Sequence, residues 1–246
     1  MRNILITMMY DGSHFHGWQI QKNAVSVQEV FQNSLFRVFG VTDIKGCSRT
    51  DSGVHANMYC VSFMTDHKIP VERIPSALNN YLPASIAVLS AEEKPDDFHA
   101  RYSCIGKEYI YKIWNNEIRN PFLDQYAFHY WYNLDIELMN KAAQYIIGKH
   151  DFTSFCTLDK REKGDFYRTV RNLSVEREKD NDIVIIRAEA DGFLYNMVRI
   201  IVGTLLYVSQ GKIKPEDIPG IIEAENRKMS GPTAPPHGLY LNKVFY

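Results

Sequence analysis

The sequence is poor in cysteine, and what it has is scattered. Cys47, Cys60, Cys104 and Cys156 form no C-x-x-C pair and match no zinc-ligand spacing. Neither a disulfide-stapled scaffold nor a structural zinc site is expected, and the four read as reduced, mostly buried thiols. Long apolar runs are also missing. The most apolar window, Met197 to Val208, contains Arg199 and is too short to span a bilayer. The opening residues, Met1-Arg2-Asn3-Ile4-Leu5-Ile6, read as a strand and lack the basic region, apolar stretch and cleavage site of a signal peptide. A soluble cytoplasmic protein with no membrane partner is expected. There is no P-loop, no G-x-G-x-x-G and no G-x-S-x-G elbow, so nucleotide cofactors have no support. Nor does one sign of charge dominate. The 28 Lys and Arg residues oppose 29 Asp and Glu, for a formal net charge of −1. That excludes holding nucleic acid by bulk charge, though not by a local basic patch.

What is present is an ordinary globular composition: 246 residues, 45% apolar, 13% aromatic and 23% charged. It bounds the chain at one or two domains. Arg2 to Tyr10 is apolar-rich and runs into Asp11-Gly12, a strand followed by a turn. Ser26-Val27-Gln28-Glu29 is a capping-box pattern ahead of Val27, Val30, Phe31, Leu35, Val38 and Phe39 at helical spacing, with Gly40 closing the helix. Strands over Asp43 to Ser48 and Ala56 to Met64 flank a polar segment. A helix is expected from Pro70 to Pro83, then a strand from Ser85 to Ser90. The order β-α-β-β-α-β is that of the ferredoxin-like split βαβ unit.

The second half repeats this architecture without sequence identity. Strands are expected at Lys107 to Trp114, Val170 to Arg177, Ile183 to Ala190 and Leu239 to Phe245, with a further segment, Tyr126 to Trp131, beside the first. Helices are expected at Asp135 to Ile147, Leu194 to Ser209 and, as an addition, Pro215 to Glu225. The fold class read here is therefore α/β (α+β): two ferredoxin-like βαββαβ lobes with antiparallel sheets. The division falls into residues 1–103 and 104–246, the second carrying the extra helix.

Three segments could carry chemistry. Arg49-Thr50-Asp51-Ser52-Gly53-Val54-His55 lies between two strands and is dense in turn formers. Asp51 there fits a base, a nucleophile or a metal ligand, with Arg49 and His55 supplying charge. It also fits a plain Asx-turn ahead of Gly53, and on spacing alone such turns are the commoner case. In Lys107-Glu108-Tyr109-Ile110-Tyr111 the two tyrosines share one face of a strand. They are either a platform for stacking a base or tyrosines packed under a helix, and tyrosine is a favoured strand residue anyway. Arg199 interrupts an apolar helix. A guanidinium buried there needs an anionic partner, unless it snorkels to solvent. His14-x-His16 offers two imidazoles on one strand face without a third ligand nearby, and Asp96-Asp97 reads as a surface turn.

Taken in order, these segments resemble the tRNA pseudouridine synthase A (TruA) family. The resemblance rests on Tyr10-Asp11-Gly12 with Gly17-Trp18-Gln19, on Ser26-Val27-Gln28-Glu29, on Arg49 to Ala56, and on Asp96-Asp97-Phe98-His99-Ala100-Arg101. It continues through Lys107 to Tyr111, Asp151-Phe152-Thr153-Ser154-Phe155, Phe193 to Arg199 with Ile201-Val202-Gly203, Thr233-Ala234-Pro235, and Gly238-Leu239-Tyr240-Leu241. The resemblance covers nearly the whole chain, and the R-T-D-x-G-V-H block is its most specific part.

It implies two lobes with a central catalytic cleft and a homodimer. It also implies isomerisation of uridine to pseudouridine at positions 38, 39 and 40 of the tRNA anticodon stem-loop, with no cofactor and no metal. By the same resemblance Asp51 matches the essential aspartate, Tyr109 the active-site tyrosine, Arg199 an arginine paired with that aspartate, and Arg49 a residue that helps displace the target nucleotide. The chain departs from the family pattern at Ser48 and Ser52, where Gly and Ala are usual. Ser48 matters if the family's glycine holds φ > 0. Two rival readings stand beside this one. One is a non-catalytic RNA-binding protein that uses Tyr109 and Lys107. The other is a metal-dependent nuclease or glycosidase, which needs clustered carboxylates where only Asp51 has a suitable context.

Overall fold

A computed structural model describes residues 1–157, 164–179 and 181–246. It is a mixed α/β protein, as the strand and helix patterns indicated. Two compact units emerge, Met1–Ile105 with Tyr240–Tyr246, and Gly106–Leu239. A division at residues 103 and 104 would put the last strand in the second unit. Its residues from Tyr240 onward group with the first instead.

In the first unit, strand β1 (Arg2–Tyr10) lies between β3 (His55–Thr65) and β4 (Ile86–Lys94), antiparallel to both. Ile6 faces Val61 on one side and Ala91 on the other. Strand β2 (Lys45–Gly46) pairs antiparallel with β3 at Ser62 and Val61. The order β4-β1-β3-β2 is that of a split βαβ unit. Strand β10 (Leu239–Phe245) runs parallel to the start of β3, with Tyr240 opposite His55. The core is the pleated row Ile4, Ile6, Met8, Tyr59, Val61 and Phe63, together with Phe31 and Leu35 from helix α1 (Val27–Phe39) and Ile74 and Leu78 from helix α2 (Ile74–Asn79).

Helix α1 begins where the capping pattern placed it. Ser26 Oγ accepts the Glu29 N–H at 3.2 Å. It ends at Gly40 in the left-handed region, φ 68°, whose N–H closes on the Phe36 carbonyl. The helix expected from Pro70 is split into a 3-10 turn, Val71–Arg73, and α2. The cause is Pro75. It has no N–H to give the Val71 carbonyl, which takes the Ile74 N–H instead. The strand expected over Asp43 to Ser48 shortens to two residues, and beyond it the Ser48 carbonyl accepts from the Tyr59 hydroxyl.

In the second unit, β5 (Gly106–Trp114), β9 (Ile183–Ala190), β8 (Tyr167–Arg177) and β7 (Gly148–Asp151) lie side by side in that order, all antiparallel. The two-residue β6 (Phe128–His129) pairs parallel with the end of β5. Helix α3 (Ile136–Ile146) is capped by Asp135 Oδ1 at the Leu138 N–H, 2.9 Å. Helix α4 (Met197–Ser209) is buried on nearly every side, and α5 (Ile218–Glu223) follows it. Strand β7 was not evident in the sequence. Helix α4 starts three residues later than its apolar row suggests, because Asn196 takes a left-handed backbone, φ 62°. No helix among the described residues is long and apolar enough to cross a membrane.

The cysteines are free thiols, three buried and Cys104 half-buried. Burial pushes the Cys60 thiol up from its ordinary 9.0 to about 11, against smaller opposing effects of hydrogen bonds with Tyr246 and Thr7. As the pH rises from 9 towards 11, the unfolded chain gives up this proton before the folded chain does. Stability is therefore lost across that window, by about 2–3 kcal/mol for this group. Urea unfolding from pH 8 to 11 should show this extra fall in the wild type and not in Cys60→Ala. Parallel pH dependences would contradict it.

Candidate active site

The segment Ser48 to Val54 joins β2 to β3 and is held from several directions. Asp51 to Val54 form a tight turn: the Val54 N–H donates to the Asp51 carbonyl at 3.1 Å, with Gly53 at φ 77°. The turn is closed by this main-chain hydrogen bond. Spacing alone left a turn and a chemical role as alternatives. The structure shows the turn, with Asp51 half-buried on it.

The pins come from the chain that follows β1. The Trp18 N–H donates to the Thr50 carbonyl at 3.1 Å, and the Gly53 N–H to the Phe15 carbonyl at 3.4 Å. Tyr10 Oη and Thr50 Oγ1 share a buried hydrogen bond of 2.8 Å. Trp18 stacks on Tyr59, ring centroids 4.1 Å apart, and Tyr59 holds Ser48. Gly17 makes the approach possible. It sits at φ 81°, and a Cβ there would lie 2.5 Å from the Thr50 carbonyl oxygen. At the end of the turn His55 is buried. Its Nδ1 accepts the Gly12 N–H at 3.0 Å, lies 3.2 Å from Asp11 Oδ1, and its ring stacks on Tyr240 at 4.6 Å. Arg49 is exposed. Ser48 is not among the positive-φ residues, so it stands in place of a glycine without backbone strain.

The other two expected residues lie in the second unit. Tyr109 is 7% exposed on β5 and meets Phe193 edge-on at 5.1 Å. Tyr111, on the same face, is fully buried and donates its hydroxyl to the Pro235 carbonyl at 2.8 Å. Burial drives its phenol well above the usual tyrosine range, while the charge of Arg199 pulls the other way. Tyr111 is thus packed in the fold, and Tyr109 is held against Phe193.

Arg199 is half-buried in the first turn of α4. Its Nε donates to the Ala234 carbonyl at 2.7 Å and its Nη1 to Asn196 Oδ1 at 2.8 Å. Both of these acceptors are neutral. The segment bearing Ala234 is pressed onto α4 through two glycines, since a Cβ on Gly231 would sit 2.5 Å from Gly203 and Thr204 backbone atoms. Gly231 donates to Thr204 Oγ1 at 2.9 Å, and Arg227 holds Gly231, Ser230 and Thr233. Asn196 and this glycine contact were missed in the sequence. The signals were an asparagine just before a helix and two glycines far apart in the chain.

His14 and His16 are not on a strand face. Gly12–His14 form a 3-10 turn, and His14 Nε2 lies 3.5 Å from Asp11 Oδ2. Among the described residues no group of three or more His, Cys, Asp or Glu could hold a metal ion.

The sequence model of the tRNA pseudouridine synthase family matches residues 6–103 and 142–246. A protein of Thermoanaerobacter sp. (strain X514) named tRNA pseudouridine synthase A is 49% identical over 247 residues, covering 100% of both chains. Proteins of the same name from Bacillus pumilus and Ruminiclostridium cellulolyticum are 46% and 44% identical. The first covers 98% of this chain and 97% of its own, the second 100% of both.

The Gly17–Thr50 approach has a measurable consequence. Gly40 has a similar left-handed φ, but nothing lies within 4 Å of its would-be Cβ. Gly40→Ala should cost about 1–2 kcal/mol, the price of the backbone region alone. Gly17→Ala should cost at least about 3 kcal/mol, because the Thr50 backbone must also move. Urea unfolding of the two variants checks this, and equal losses would contradict it.

Proposed function

This chain belongs to the tRNA pseudouridine synthase family, and on that footing we propose that it converts uridine to pseudouridine at positions 38, 39 and 40 of the tRNA anticodon stem-loop, working as a cytoplasmic homodimer. The observation that carries this reading is the pinned turn bearing Asp51 within Arg49-Thr50-Asp51-Ser52-Gly53.

The reaction breaks the C1′–N1 bond of the nucleotide, turns the base, and joins C1′ to C5. The C5 hydrogen leaves as a proton and N1 takes one up, so atoms and charge balance without a redox partner or group donor. A carboxylate serves such a reaction by attacking C1′, by adding to C6, or by removing a proton. In the first two roles it must be ionised as a nucleophile, and in the third as a base. We assign that carboxylate to Asp51. A cation favours the ionised form, and we assign the positive charge to Arg199. Tyr109 is assigned to the face of the uracil, which must stay captive while it turns. A nucleotide in a stem has to leave the stack first, at a cost of a few kcal/mol. Arg49, exposed beside the turn, suits that step by taking a phosphate or the vacated space.

The test uses tRNA tritiated at uridine C5. Wild-type protein should release tritium and leave a product that takes a pseudouridine-specific adduct. Asp51→Asn should lower the release rate by at least about a thousandfold. Release by Asp51→Asn at the native rate would overturn the assignment of Asp51. Wild-type protein that binds tRNA without changing it would point to an RNA-binding role instead.

A further inference from the structure

Asn196 is one of two non-glycine residues with a positive φ among the described ones, at 62°. The left-handed region is unfavourable for any residue with a Cβ, though asparagine tolerates it better than most. Such strain persists where the surroundings impose it, and it collects at functional positions. Asn196 stands at the N-cap of α4, where its carbonyl accepts the Ile200 N–H at 2.9 Å. Its side chain does not make the usual capping bond to the helix. It bridges two other groups. Nδ2 donates to Thr157 Oγ1 at 3.0 Å, and Oδ1 accepts from Arg199 Nη1 at 2.8 Å.

Each part of the bridge has a job that another residue type would not do. Glycine would accept the same backbone without strain but has no amide. Serine or threonine would cap the helix but not reach both partners. Aspartate tolerates the backbone and offers an oxygen to Arg199, but its charge would neutralise the guanidinium. A neutral amide oxygen orients the arginine and adds no counter-charge of its own. Arg199 can only donate, so it decides which way round the amide sits: Oδ1 faces the arginine, and Nδ2 is anchored on the Thr157 hydroxyl. The Ala234 carbonyl fixes Nε of the same guanidinium at 2.7 Å, so the plane is held at two edges.

We propose that Asn196 is a positioning residue for the known family reaction. Its left-handed backbone aims the amide, Thr157 anchors the amide's Nδ2 end, and the amide oxygen orients Arg199 without quenching its charge. This rests on the reading that Arg199 serves the isomerisation.

The test measures C5-tritium release from tRNA by the full chain, with thermal melts alongside. Asn196→Gly should lower kcat by about tenfold or more and leave KM for tRNA within about twofold, because the contact acts on the reacting group rather than on docking. Its melting temperature should be no lower than that of the wild type, since glycine relieves the backbone. Asn196→Asp should melt like the wild type and also lose kcat. Thr157→Val should lose a few-fold in kcat alone and nothing further when added to Asn196→Gly, because both act through one amide. Asn196→Gly turning over within twofold of wild type would overturn the proposal. So would Asn196→Asp at full kcat, or Thr157→Val adding its own factor to Asn196→Gly. A wild type that releases no tritium would instead remove the functional reading on which the inference stands.

Discussion

The first unit depends on one close approach. The chain at Gly17 comes so near the Thr50 carbonyl that no side chain fits between them. With that contact in place, Trp18 can donate to Thr50, Phe15 can accept from Gly53, and Tyr10 can reach the Thr50 hydroxyl. Each bond is modest, of order 1 kcal/mol net. Together they leave the Asp51 turn one conformation, set by residues that lie on the other side of β1's end. A carboxylate expected to meet a reacting atom within a few tenths of an ångström needs that sort of support. The same contacts explain why the segment after β1 is rich in Asp, Gly, His and Trp, residues that otherwise make little sense as a connection.

The second unit solves a related problem with different parts. There the side chain to be placed is long, and a helix start places it. Asn196 bends the chain into α4, the Gly203 and Gly231 contact lets the segment bearing Ala234 lie against that helix, and Arg199 is gripped from both. Backbone geometry that is unfavourable locally is tolerated because buried contacts on α4 hold it. Ile200, Ile201, Val202 and Leu205 are fully buried on that helix.

Much of this was legible in the sequence, for physical reasons that can be named. Ser26 and Gly40 bracket α1 because capping and left-handed closure are local chemistry. β1 and β3 were readable because their apolar residues face a packed sheet. The D-x-G-V turn was readable as well, since Gly53 supplies the positive φ that the turn requires. What escaped depended on partners distant in the chain. Pro75 divides a helix whose apolar spacing looked continuous. Beyond the short β2, Ser48 gives its carbonyl to Tyr59, a partner eleven residues on. The last strand pairs parallel with β3 at His55, and no local pattern foretells that. Strand spacing puts Tyr109 and Tyr111 on one face but does not name Phe193 and Pro235, which lie far along the chain, as what they meet. At Asn196 the local rule for starting a helix is broken, and the compensating bonds reach back to Thr157 and forward to Arg199.

The central claim is that the Asp51 turn is organised by the protein before any RNA arrives. Residue-resolved amide exchange on the RNA-free protein tests it most directly. The Trp18, Gly12 and Val54 amides donate to Thr50, His55 and Asp51 respectively. They should exchange as slowly as ladder amides in the β1–β3 pairing. Exchange of these three at open-chain rates, slowing only when tRNA is added, would contradict the account.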